Sequence, residues 1–307
     1  MTMKHGRWLI AMGLALCEVT LLGCPGNPDP PPIPFGKSGE RYHEKIDFAR
    51  LEHESPLTPA DLMKITPDNL KGATQEQMDQ IYARLTAGPI PDGIYDGQMF
   101  FPKGSSERAR LAEIVGGGIK GFVVDRKTAT LEHIGEFIWK GKVFYRSEGV
   151  LRNRIEDLRI LRPIVGPNIE KIQKLDVDGK DAWLLFPAKL YCGQSLLDGR
   201  RESIIIDYAF TDDLPGYRDM PDVLAGREGL EIRDEIRMVR PGFYLGRAYI
   251  KKVFALNFTL YNKAVAEKES QAFGAGTVNE DCWVGNQRMT AMANKAGTQH
   301  ARLTETQ

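Results

Sequence analysis

The sequence predicts a mainly β (α+β) fold: a curved antiparallel sheet or up-and-down β-barrel of about seven or eight strands behind an N-terminal helical segment. Three observations carry this. The hydrophobic period is two through much of residues 121–262. The strand-like runs there are joined by short turns with no helix pattern alternating between them, which argues against a parallel doubly wound sheet. Helix-start chemistry is concentrated upstream, in residues 56–88. Of the 307 residues 42% are apolar, enough to close a sizeable core. The 41 Lys+Arg balance 41 Asp+Glu, so net charge gives no drive toward a nucleic-acid backbone. The composition is not that of a disordered chain, and four cysteines are too few for a disulfide-built scaffold.

Residues 1–23 read as a secretory signal. Lys4 and Arg7 form a basic flank, and the following stretch is apolar apart from Glu18 and Thr20. It falls short of the ~20 residues that span a bilayer as a helix. It closes on Leu21-Leu22-Gly23-Cys24, which resembles the lipobox of bacterial lipoproteins. The resemblance implies cleavage before Cys24 and a diacylglyceryl group on its thiol; a buried helix with an ordinary thiol is the alternative. Pro25 follows, where in Gram-negative lipoproteins an Asp marks inner-membrane retention. The resemblance therefore implies a lipid-anchored protein of the outer membrane, facing the periplasm. Residues 24–40 then form a Pro-rich tether, with six prolines between Pro25 and Pro34. In polyproline II such a run spans about 30 Å. A proline-rich ligand for another domain is the alternative.

Residues 41–120 read as helical. Thr58-Pro59 and Thr66-Pro67 each place a capping hydroxyl before a first-turn proline. Thr74 and Gln77 match a capping box, ahead of Met78, Ile81, Tyr82 and Leu85 on one helical face, with Gly88 as the stop. A second helix is expected over 106–115, ending in Gly116-Gly117-Gly118. In the β domain, 121–262, Phe137, Trp139, Gly141, Val143 and Tyr145 alternate with Ile138, Lys140, Lys142 and Phe144. Further strands are expected at 171–177, 183–190, 204–210, 232–239, 243–250 and 253–261, with a turn at Pro241-Gly242. Residues 263–307 open on a short helix and read as a partly ordered tail.

Motifs for chemistry are scarce. There is no HExxH, paired CxxC, GxGxxG or Walker loop, so no cofactor or metal is expected. The run Gly116 to Gly121 holds a lysine but lacks the following Ser/Thr, and reads as a helix stop. Ser195 is in no nucleophile elbow. Of His43, His53, His133 and His300, none has metal-ligand spacing to another. With Cys17 in the signal and Cys24 acylated, Cys192 and Cys282 remain as a pair. An oxidising periplasm favours a disulfide between them over two free thiols. On a strand, Ile232, Asp234, Ile236 and Met238 share one face. Arg233, Glu235, Arg237 and Val239 share the other, which reads as an exposed row of paired charges. Asp234 and Asp207 interrupt otherwise apolar runs. They read as structural ion pairs with an arginine such as Arg152 or Arg154, or as a general acid/base pair.

Trp139-x-Gly141-Lys142-x-Phe144, Asn153-Arg154, Arg233-Asp234-Glu235 and Pro241-Gly242-x-Tyr244-Leu245-Gly246 together resemble the GXWXG-type domains of unknown function over about residues 135–260. Here Gly135 stands four residues before Trp139, where that pattern has its glycine two before. The resemblance implies a small β-barrel-like fold and no particular activity. The leading expectation is non-enzymatic: a barrel holding an apolar or amphipathic small molecule, walled by Trp139, Tyr145, Tyr208 and Tyr244. An envelope enzyme acting on a lipid-like substrate through Asp207 or Asp234 is the second expectation, and an interaction protein with an unidentified partner the third.

Overall fold

The computed structural model describes residues 28–37, 39, 41, 44–100, 139–158, 162, 166 and 171–285. The signal and lipobox, the expected helix at 106–115, the glycine run after it and residues 286–307 lie outside these. Among these residues nine strands form one antiparallel sheet: β1 (Gly93–Phe100), β2 (Trp139–Tyr145), β3 (Val150–Ile155), β4 (Lys174–Val177), β5 (Lys180–Gln194), β6 (Glu202–Asp207), β7 (Ile232–Arg240), β8 (Phe243–Ile250) and β9 (Val253–Tyr261). Their order is β3-β2-β1-β9-β8-β7-β6-β5-β4, and β3 also pairs with β5. That last pairing sets Leu151 opposite Ala188 and Arg154 opposite Leu184. It closes eight strands into a barrel, with β4 as an extra strand on the leading end of β5. Closure leaves those eight strands paired on both sides, which removes the edges that invite aggregation.

The barrel begins earlier than residue 121. Strand β1 lies within the stretch whose sequence reads as helical, and its pairing with both β2 and β9 completes the ring. Asp96-Gly97-Gln98 breaks its apolar alternation, so periodicity alone does not reveal it.

Upstream, α1 (Phe48–Glu54), α2 (Pro59–Lys64), α3 (Pro67–Leu70) and α4 (Gln75–Ala83) follow one another closely. Thr58, Thr66 and Thr74 each cap a helix, with Asp61, Asn69 and Gln77 returning the bond to the cap's backbone N–H. Hydrogen bonds from Lys64 and Thr58 hold the Asp61 carboxyl down at about 2. Helix α4 ends at Ala83 with Arg84 as its cap, so Gly88 is not the stop. Gly88 instead turns the chain beyond it, against Met238.

Met78, Ile81, Tyr82 and Leu85 pack on Val239, Phe243 and Leu245 from the outer face of β7 and β8. This corrects the expectation of an exposed charged face on β7: the helices cover it, and both Glu235 and Arg237 are fully buried. Arg237 donates to the carbonyls of Tyr82 (2.9 Å), Arg201 (2.8 Å) and Glu202 (3.0 Å) and to Ser203 Oγ (3.0 Å). Arg240 donates to the Ile65 carbonyl and Arg84 to that of Ser55 (2.8 Å). Tyr82, Ile65 and Ser55 lie at the C-terminal ends of α4, α2 and α1, whose last carbonyls lack partners within the helix. Arg237 and Arg240 thus dock α4 and α2 onto the barrel by capping them, while Arg84 ties α1 to α4.

Helix α5 (Asp219–Asp222) sits in the long connection between β6 and β7, and α6 (Lys263–Gly274) follows β9. Beyond α6 the chain returns to the barrel. Cys282 N–H donates to the Gly88 carbonyl (2.8 Å), and Cys282 is disulfide-bonded to Cys192 on β5, 90 residues away.

Candidate functional site

Strand alternation divides the barrel's residues between two environments. Tyr95, Phe144, Leu190, Ile206, Ile236, Tyr244 and Leu260 belong to the interior cluster. The interior is not completely filled. A cavity of about 400 Å³ remains, walled by Met99, Ile155, Phe186, Ile232, Ala248, Leu256 and Phe258 and by Leu224, Ala225 and Leu230 from the β6–β7 connection. That connection is held by Asp222, whose carboxylate accepts from the backbone N–H of Phe186 (2.7 Å) and of Arg218 (3.0 Å). Burial pushes the Asp222 carboxyl above the ordinary carboxylate value.

The side chains carrying hydrogen-bonding groups into the lining are Trp139, Lys142, Asn153, Tyr208 and Asp234. The β2–β3 register shifts between Trp139 and Gly141. Regular alternation would send residues 139 and 142 to opposite faces; the irregularity lets both line the cavity. Gly141 makes this local path available. Its φ is +136°, and a Cβ there would stand 2.0 Å from the Tyr95 carbonyl oxygen. Gly141→Ala is therefore expected to destabilise the protein by about 2–3 kcal/mol through backbone strain and loss of β1–β2 pairing. A thermal unfolding midpoint equal to wild type would contradict that account.

Lys142 Nζ lies 2.9 Å from Asp234 Oδ2, 2.8 Å from Asn153 Oδ1 and 2.7 Å from Tyr208 Oη. Tyr208 donates to Asp234 Oδ2 (3.1 Å). Trp139 Nε1 donates to Asn153 Oδ1 (2.9 Å), and Asn153 Nδ2 donates to the Phe186 carbonyl (2.9 Å) and Tyr208 Oη (3.1 Å). The Lys142 ammonium also sits 5.4–5.5 Å from the ring centres of Trp139, Tyr208 and Phe258. Burial pushes the Lys142 ammonium below the ordinary lysine value, and Asp234 partly offsets this. Burial and the neighbouring Asp234 push the Tyr208 hydroxyl well up, so it remains a donor.

Trp139, Tyr208 and Asp234 are thus brought together. Tyr145, at the end of β2, and Tyr244 are not part of the lining. Tyr244 packs edge-on to Tyr95 and donates to the Pro89 carbonyl (2.7 Å) as part of the filled interior. Asp207 lies off the cavity because it has the opposite parity to Ile206 and Tyr208; it accepts from Tyr191 Oη and Ala209 N–H, each 2.8 Å away. Neither expected arginine meets either aspartate. Arg154 pairs with Asp96 (2.6 Å) and Arg152 donates to the Pro215 carbonyl. Arg233 pairs with Glu235 (3.1 Å). Lys142 and Asn153, unmarked as site residues by sequence periodicity, are central to the network. The signal that points to Lys142 is the glycine between it and Trp139, where a strand can break step.

Among the described residues no group of three or more His, Cys, Asp and Glu side chains is arranged to hold a metal ion. Fold and site together define a closed antiparallel β-barrel with an apolar cavity floored by a buried ion pair. No family model, curated protein or solved structure matches the chain.

Proposed function

We propose that the protein is a lipid-anchored envelope protein whose barrel binds an apolar or amphipathic small molecule. The observation that carries this reading is the cavity of about 400 Å³, within the size range of small-molecule sites and almost wholly apolar in its walls. At about 30 Å³ per water-sized group, it admits roughly a dozen non-hydrogen atoms. Native mass spectrometry of the purified full chain, followed by solvent extraction, tests the reading. A single apolar molecule bound per chain is expected. A chain that arrives empty and takes up no added alkyl compound would refute it.

The anchor rests on Cys24, in the lipobox-like Leu21-Leu22-Gly23-Cys24. Cys24→Ala is expected to leave an unprocessed precursor that incorporates no labelled fatty acid. Label in that variant would show that the lipid is attached elsewhere. A second reading, an enzyme acting on a lipid-like substrate, draws on the contact of an amine, a carboxylate and a phenol at the cavity, with Asp234 as the acid/base and Lys142 and Tyr208 beside it. Turnover of the extracted molecule by wild type, lost in a folded Asp234→Asn variant, would favour it.

A further inference from the structure

The polar floor of the cavity is saturated on its donor side. An ammonium has three protons, and Lys142 has three acceptors within 2.9 Å. The indole N–H of Trp139, both amide protons of Asn153 and the hydroxyl of Tyr208 are likewise committed inside the network. Among the described residues no polar side chain of the lining therefore has a proton to give a ligand.

One acceptor remains. Asp234 Oδ2 takes both Lys142 and Tyr208, whereas Asp234 Oδ1 accepts from no donor among the described residues. Nor is Oδ1 among the fully enclosed atoms left without a partner, and Asp234 lines the cavity. The Asp234 side chain is 7% exposed and that of Lys142 2%. Of the pair, the carboxylate is the one with more of its surface open.

We propose that Asp234 Oδ1 fixes the polar end of the ligand, and that the ligand is an apolar molecule bearing one neutral hydrogen-bond donor, a hydrophobic alcohol. The proposal rests on the reading of the barrel as a binding site and adds the ligand's chemistry. The charge balance selects against the other amphipaths. Lys142 and Asp234 already neutralise each other, so an alkylammonium would bring an uncompensated charge into an apolar space. A fatty carboxylate would set a second negative charge beside Asp234 while finding no free donor. A hydroxyl supplies the missing proton and adds no charge. Its bond to an ionised acceptor is of the stronger kind.

The test uses isomeric probes that differ only in the donor. Undecanol and methoxydecane have the same atoms, and decanoate has nearly the same size. Their affinities for the full chain are compared by calorimetric titration. Undecanol is expected to bind about tenfold or more tightly than methoxydecane, as loss of one bond to a charged acceptor implies, and more tightly than decanoate. In the Lys142→Met/Asp234→Asn double variant, which keeps an acceptor for Tyr208 but removes both charges, that preference is expected to shrink several-fold while methoxydecane still binds. Equal affinity for undecanol and methoxydecane would overturn the proposal and leave the binding reading intact. Preference for decanoate would overturn it too, assigning the contact to Lys142. Failure of all three probes to bind would overturn both.

Discussion

Asp234→Asn is expected to cost about 3–5 kcal/mol of stability at neutral pH, because it leaves the fully buried Lys142 ammonium without its counter-charge. The loss should depend on pH with a defined sign. Burial already lowers the folded-state value of Lys142 from the ordinary 10.5, and removing Asp234 takes away the group that opposes that shift. Between the lowered folded value and 10.5 the unfolded chain holds the proton and the folded variant does not. Stability of the variant should therefore rise with pH across that window, by up to about 1.4 kcal/mol per pH unit, and level off above it. Wild type, whose Lys142 value is lowered less, should show the same rise over a narrower window. Lys142→Met also strands one charge of the pair, but without the titrating amine it should lack that rise. The double variant should recover most of either loss, since no unpaired charge remains. Chemical denaturation from pH 5 to 10 checks all three; parallel pH profiles for the two single variants would show that the pair is not an isolated buried couple.

Replacing Cys192 and Cys282 by alanine should lower stability by a comparable amount. The disulfide closes a loop of 90 residues, for which the chain-entropy relation gives about 4–5 kcal/mol. The effect should also be local. Segment 275–285 is held to the barrel by the Cys282–Gly88 backbone bond, by Asp281 accepting from Gly88 N–H (2.6 Å) and by Glu202 accepting from Val284 N–H (2.9 Å). Without the disulfide these bonds should open first, seen as faster amide exchange in 275–285 before the barrel strands exchange. Reduction that leaves both the unfolding midpoint and that exchange unchanged would contradict the account.

Much of the architecture is legible in the sequence because it is local. Thr58-Pro59, Thr66-Pro67 and the Thr74–Gln77 capping box announce helices without any tertiary help. The Ile204-Ile205-Ile206 run and the Pro241-Gly242 turn do the same for the sheet. What stays hidden depends on contacts far apart in the chain. The outer face of β7 reads as solvent-exposed because nothing in Arg233-Asp234-Glu235-Ile236-Arg237 reveals that helices some 155 residues upstream lie on it. Asp234 advertises that it needs a partner, yet the partner is Lys142, 92 residues away, rather than an arginine such as Arg152 or Arg154. Lys142 has the parity of Phe144 and the opposite parity to Trp139; only the shifted register between Trp139 and Gly141 sets both on one wall. Tyr244 and Tyr145 show the converse, since aromatic character does not say which interior positions stay open and which are filled.

The central claim, that the barrel interior is a ligand site, is tested most directly through Trp139, which lies in the cavity wall. A bromoalkane of about a dozen non-hydrogen atoms, titrated into the full chain, should quench tryptophan emission saturably, with one probe per chain, and Trp139→Phe should remove that saturable component. Quenching that never saturates, or that survives unchanged in Trp139→Phe, would mean that the probe does not enter the barrel.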